Sequence, residues 1–159
     1  MAKYLIVANQ TIGGDELREE IRQRISADAS FFVLVPTTAG SVGRTDLYGD
    51  GLRPGVVETE LATQAALDHR AELTDRSRLD HLTSEIRAAG GHATGDIGPS
   101  DVLTAIDEVL SEGPFDEIIV STLPIGVSKW LKMDVPSRVQ RRFHVPVTTV
   151  TAGRVGAPA

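Results

Sequence analysis

Short apolar runs recur along the chain, separated by polar stretches, and most are continuous rather than alternating. Tyr4–Ala8 (YLIVA), Phe31–Val35 (FFVLV), Glu117–Val120 (EIIV) and Val145–Val150 (VPVTTV) are rich in β-branched or aromatic residues. Runs of this kind suit strands buried on both faces of a parallel sheet. His92–Ile97 (HATGDI) is a weaker run and fits a strand nearer an edge.

Helix-period stretches lie between the runs. Asp15–Ala27 carries Leu17, Ile21 and Ile25 at spacing i, i+4, i+8, a single apolar stripe. Asp101–Leu110 repeats the pattern with Val102, Ile106 and Val109, and Ser100 or Asp101 can cap it. Val135–Phe143 reads as a short helix with Asp134 as N-cap and Pro136 in the first turn, where its missing N–H costs little. Strands alternating with helices predict βαβ units and a doubly wound α/β sheet.

Glu58–Ala89 is either one helix or two, the break then falling near Leu73–Ser77. A single helix would measure about 48 Å, against ~17 Å for the strands, so it cannot lie wholly on the sheet. Leu79, Leu82, Ile86 and Ala89 make a packing stripe. Followed backwards, that stripe meets Asp75, Glu72 and Asp68. Gly90-Gly91 ends the segment. Residues 37–57 (TTAGSVGRTDLYGDGLRPGVV) have no period, and a structureless stretch of that length reads as a functional flap or an insert. The expected organisation is one domain over 1–151, this glycine-rich insertion included, and a flexible tail at 152–159.

The chain of 159 residues has no cysteine, which excludes disulfides, thiolate metal sites and cysteine nucleophiles. Its 16 Lys and Arg stand against 22 Asp and Glu, a net charge of −6. That balance argues against nucleic acid and acidic membrane surfaces as partners. No apolar stretch approaches the ~20 residues of a membrane helix, and the expectation is a soluble, cytoplasmic protein.

Open parallel sheets bind ligands beyond the carboxyl ends of their strands. Three segments leave those ends: Asn9–Gly14, the stretch from Thr37, and Ser121–Asp134. In the first, Asn9, Thr11 and Gly13 precede a helix, but no phosphate-binding glycine motif is present and Asp15-Glu16 follow at once. Turn and dipole complementation is the simpler reading there. In the third, Ser121, Thr122 and Ser128 offer hydroxyls and Gly126 offers close backbone approach. Lys129, Lys132 and Arg138 supply charge, and Lys129–Arg142 is locally +4. Such a segment suits an anion or is a solvated basic face anchored by Trp130 and Leu131. His69, His81, His92 and His144 share no metal-ligand spacing. Asp68, Glu72 and Asp75 read as a solvated acidic face of the long helix.

The closing stretch EIIVSTLPIGVSKWLKMDVPSRVQRRFHVPVTTV resembles the universal stress protein family, with a hydrophobic strand, a loop, a short helix and a terminal strand opening Pro146-Val147. The resemblance implies a five-stranded parallel sheet of order 3-2-1-4-5, often dimeric through the last strand. It implies ATP binding in one branch, through G-x2-G-x9-G-[ST] after strand 4. Here Thr122 and Pro124 or Ile125 replace the first glycines, Met133-Asp134 stands where Gly-Ser belongs, and the aspartate usual at the end of strand 1 is Asn9. A carboxylate ~4 Å from a phosphate charge costs about 1 kcal/mol in water and ~4 at an effective dielectric of 20. ATP, or another adenine nucleotide held in the usual way, is therefore disfavoured.

The reading is a non-catalytic regulatory or small-ligand-sensing domain. Its candidate site residues are Asn9, Thr11, Gly13, Ser121, Thr122, Gly126, Ser128, Lys129, Asp134, Ser137 and Arg138. Homodimerisation through the terminal strand Val145–Val150 would cover an exposed edge, although Pro146 limits pairing near its start. The alternative is a nucleotide- or phosphate-compound-binding protein or enzyme using Lys129, Lys132 or Arg138 as anion clamps, and a third possibility is a structural dimerisation module.

Overall fold

A computed structural model of the protein describes residues 2–9, 11–37, 57–122 and 134–151, with side chains of the long helix described from residue 64. The elements in chain order are β1 (Ala2–Val7), α1 (Asp15–Arg22), β2 (Ala29–Pro36), α2 (Val57–Ala88), β3 (His92–Gly98), α3 (Val102–Leu110), β4 (Glu117–Thr122), α4 (Val135–Phe143) and β5 (Val147–Thr151). All strand pairs are parallel, and the sheet order is β3-β2-β1-β4-β5. This is the doubly wound arrangement that the continuous apolar runs predict.

Register explains why those runs do not alternate with polar residues. Ile6 lies opposite Val33 and Ile119, and Val7 opposite Leu34 and Val120. Successive side chains point to opposite faces, and both faces are covered. Ile6, Phe31, Val33 and Ile119 join Leu17 and Ile21 of α1 and Leu79, Leu82 and Ile86 of α2. Leu5, Val7, Ile118 and Val120 join Val102 and Ile106 of α3 and Val135 and Val139 of α4. A central strand therefore needs apolar residues in both phases.

The segment after the insertion is one helix of 32 residues. Its lower half packs on β2 and β3 through Leu79, Leu82 and Ile86, each no more than 3% exposed. Close approach requires Gly95 in β3, where a Cβ would stand 2.5 Å from both Leu79 Cδ1 and the Val33 carbonyl oxygen. The helix ends in a double hydrogen-bonded turn. Gly90, at φ +101°, donates to Arg87 O, and Gly91 donates to Ile86 O. Residues before Asp75 extend past the strand ends, and Leu73 there is 59% exposed.

Several element ends differ from those expected. α1 stops at Arg22, with Gln23 as its C-cap; one further turn follows, in which Ile25 N donates to Ile21 O, and Ile25 still packs against the core. The last strand begins at Val147, not Val145, since Pro146 has no N–H and joins only through its carbonyl, which accepts from Ile118 N. Of the two caps expected for α3, Asp101 serves, accepting from Leu103 N at 3.1 Å and Thr104 N at 3.5 Å.

The amino-terminal end of the sheet is tied by charge. Arg24 Nε donates to Glu117 Oε1 at 2.7 Å, and Arg24 Nη2 donates to Glu117 Oε2 at 2.9 Å. Its remaining terminal nitrogen, Nη1, donates to Glu20. Thr148 of β5 donates its hydroxyl to Glu117 Oε2, so one carboxylate links the turn after α1 with β4 and β5.

Candidate functional site

β1 ends where strand order reverses: β2 lies on one side of it and β4 on the other. Crevices form at this point because the helices following the two neighbouring strands cover opposite faces. After Val7 the backbone turns tightly, with Ile12 N donating to Asn9 O at 3.1 Å and Gly14 N to Thr11 O at 3.0 Å. Gly13 adopts φ +95° in that turn, although open space surrounds the position of a Cβ. Backbone conformation, not crowding, selects glycine there.

Two polar groups meet at the reversal. Ser121, the penultimate residue of β4, donates its hydroxyl to Thr11 Oγ1 at 2.6 Å, and both residues are at most 5% exposed. Thr122 follows, 1% exposed, with Val150 O 3.4 Å from its hydroxyl. A pair of buried hydroxyls thus spans the gap between β1 and β4.

The second group lies on the β2 side. Asn9, 6% exposed, donates from Nδ2 to Pro36 O at 2.7 Å and to Asp75 Oδ1 at 3.0 Å. Its Oδ1 accepts from Arg78 Nη1 at 2.6 Å. Thr37 Oγ1 donates to Asp75 Oδ2 at 3.2 Å. Asp75 is fully buried, so it does not belong to a solvated acidic face with Asp68 and Glu72. The cause is its place on the packing stripe, one turn before Leu79. A carboxylate on that face is tolerable because hydrogen-bond donors meet both oxygens.

At the other side of the crevice, Asp134 precedes α4 in the left-handed conformation, φ 55° and ψ 42°. It makes no side-chain cap hydrogen bond, contrary to the N-cap role read from the sequence. A capping residue ordinarily has extended backbone angles. In the left-handed conformation the side chain is carried outward, where it is 62% exposed and 3.9 Å from Arg141. It therefore does not occupy the first-turn N–H groups, and only screened repulsion opposes a phosphate there. Ser137 and Arg138 are exposed on the first turns of α4.

Of the residues expected at the site, Asn9, Thr11, Gly13, Ser121 and Thr122 converge at the ends of β1 and β4. Gly126, Ser128, Lys129 and Lys132 lie outside the described residues, as do most of 37–57, Met133 and the tail. Thr37 opens one of the three segments expected to build a site, whereas sequence reasoning missed Asp75 and Arg78 as members of the constellation. The signal for Asp75 was present in the packing stripe that runs back from Leu79. Among the described residues, no three His, Asp or Glu side chains converge in a way that could hold a metal ion. No helix among them is long and apolar enough to cross a membrane.

No family model matches the chain, and no curated protein matches it. Solved structures do match. The chain is similar to the universal stress protein from Archaeoglobus fulgidus, with TM-score 0.52, 12% identity, and coverage of 94% of this chain and 93% of that one. It is also similar to a universal stress protein family protein from Arabidopsis thaliana with AMP bound, with TM-score 0.57, 10% identity, and coverage of 100% and 97%. At these identities the likeness is one of fold: a universal-stress-protein-like α/β domain with sheet order 3-2-1-4-5.

Proposed function

We propose that this protein is a non-catalytic, universal-stress-protein-like regulatory domain that senses a small ligand in the crevice between β1 and β4. The observation that carries the reading is the Thr11–Ser121 hydroxyl pair at the point of strand reversal. Hydroxyls and backbone groups here can orient a ligand by hydrogen bonding, and nothing in the pair supplies a nucleophile with its base. The fold neighbour with AMP bound supports an adenine nucleotide as the class to test first.

A triphosphate is disfavoured. Asp134 places a carboxylate at the amino end of α4, and each phosphate charge ~4 Å away meets about 1 kcal/mol of repulsion in water. Because that carboxylate is exposed, the penalty falls hardest on ligands with several charges and lightly on a monophosphate. β5 forms the sheet edge beside β4, and a second copy pairing along it would cover that edge. The alternative, an enzyme on phosphorylated substrates using Lys129, Lys132 or Arg138, is separated by turnover.

Calorimetric titration with ATP, AMP, cyclic AMP and inorganic phosphate, with product analysis of each mixture, tests the proposal. Saturable AMP binding that leaves the nucleotide intact, with ATP weaker, is expected. Turnover of any of these compounds overturns the non-catalytic reading, and ATP binding tighter than AMP overturns the exclusion by Asp134.

A further inference from the structure

Arg78 differs from the other arginines that the structure ties to carboxylates. Arg18 pairs with Glu85, Arg22 with Glu19, Arg24 with Glu20 and Glu117, Arg141 with Asp134 and Arg142 with Asp107. Arg78 is half-buried, and among the described residues it forms no ion pair. Its hydrogen bond there runs from Nη1 to the neutral amide oxygen of Asn9. Asn9 in turn donates to Asp75, so in this hydrogen-bond chain an amide stands between the carboxylate and the guanidinium. That contact uses one of five N–H donors in a planar fork.

The location makes this arrangement consequential. Asn9 lies two residues beyond β1 at the reversal point, and Thr11 of the Thr11–Ser121 pair two residues further along. A guanidinium anchored there by a fixed amide is pre-positioned for a planar or tetrahedral oxyanion, which it can engage through two parallel N–H donors. Asn9 itself is held by Pro36 O and Asp75, so the anchor does not depend on ligand.

We infer that Arg78 is the anion-recognising residue of the crevice, selecting a small ligand that carries a single phosphate or carboxylate group. The inference rests on the proposed binding site and names the ligand class for it. It assigns anion recognition to the β1 side, through α2, instead of to the basic segment that leads into α4. One anionic group is what a single guanidinium fork can hold through two parallel donors.

The test compares adenosine, AMP and inorganic phosphate as probes, by calorimetry on the intact chain, for the unmodified protein, Arg78→Gln, Arg78→Lys and Arg138→Gln. AMP is expected to bind at least tenfold more tightly than adenosine. Arg78→Gln should abolish that preference while leaving adenosine affinity within twofold, Arg78→Lys should retain part of it, and Arg138→Gln should keep it. Loss of the preference in Arg138→Gln with retention in Arg78→Gln overturns the inference but leaves the crevice reading intact. Equal affinity for adenosine and AMP in the unmodified protein also overturns it. Absence of binding by all three probes overturns the site and the inference together.

Discussion

Asn9 Nδ2 donates to Asp75 Oδ1 at 3.0 Å, joining the end of β1 to the middle of α2 across 66 residues of chain. Only an amide can serve at position 9 in this setting. It must donate to a carbonyl and a carboxylate and accept from a guanidinium at once. The sequence departs here from the aspartate that its family resemblance implies, and Asp75 supplies the physical reason, because a second carboxylate would face the first. Asn9→Asp should therefore lower stability at neutral pH by about 2–4 kcal/mol. The loss should shrink as acid protonates one member of the pair. Exchanging the two groups, Asn9→Asp with Asp75→Asn, should recover at least half of it. Denaturant unfolding of the four proteins reads the coupling directly.

Glu117 contributes to the acid sensitivity of the fold. The Arg24 guanidinium hydrogen-bonded to it holds its carboxyl below the ordinary value of 4.5, against the opposing effect of burial, and the Thr148 hydroxyl lowers it further. The folded state thus binds this proton more weakly than the unfolded chain does. Its stabilisation is complete above the ordinary carboxylate range and is lost as pH falls through the depressed folded value. Glu117→Gln should cost about 1–3 kcal/mol at pH 7, and its stability should change less than the parent's between neutrality and strong acid. Chemical denaturation across pH checks both.

The Thr11–Ser121 pair is buried on both sides. Thr11→Val should cost about 1–2 kcal/mol by leaving the Ser121 hydroxyl without its acceptor. The double variant with Ser121→Ala should cost less than the two single losses combined, since neither partner is then orphaned. Thermal unfolding of the three variants measures the difference.

Asp134 holds a left-handed backbone without the compensation of a cap hydrogen bond. Asp134→Gly removes the side-chain conflict and should raise stability by up to about 1 kcal/mol. Asp134→Ser leaves the backbone conflict in place and removes the charge, so ATP affinity should rise while stability does not. The pair of variants separates strain from electrostatics, with unfolding and calorimetric titration as the two readouts.

How far these features are legible in the sequence depends on whether a residue's role is local. The runs Tyr4–Ala8 and Phe31–Val35 disclose a two-sided parallel sheet because both phases of each strand are buried, and Leu79, Leu82 and Ile86 disclose the packing face of α2. Asp101 is visible as a cap because capping involves residues two and three positions away. The packing stripe pointed to burial of Asp75, but its partners were hidden because the donors Asn9 and Thr37 follow β1 and β2, remote in sequence. Asp134 misled for a related reason. Its residue type suits an N-cap, but its backbone is left-handed, at φ 55° and ψ 42°, and its side chain makes no cap hydrogen bond. Arg78 carried no signal until Asn9 was placed beside it.

The account turns on whether the reversal point between β1 and β4 takes a ligand, and amide chemical-shift mapping of the intact chain during AMP titration asks this most directly. Saturable shifts concentrated at Thr11, Gly13, Ser121 and Thr122, with AMP recovered intact, are predicted. Shifts that avoid those four residues, or none at saturating AMP, cyclic AMP and phosphate, would contradict it.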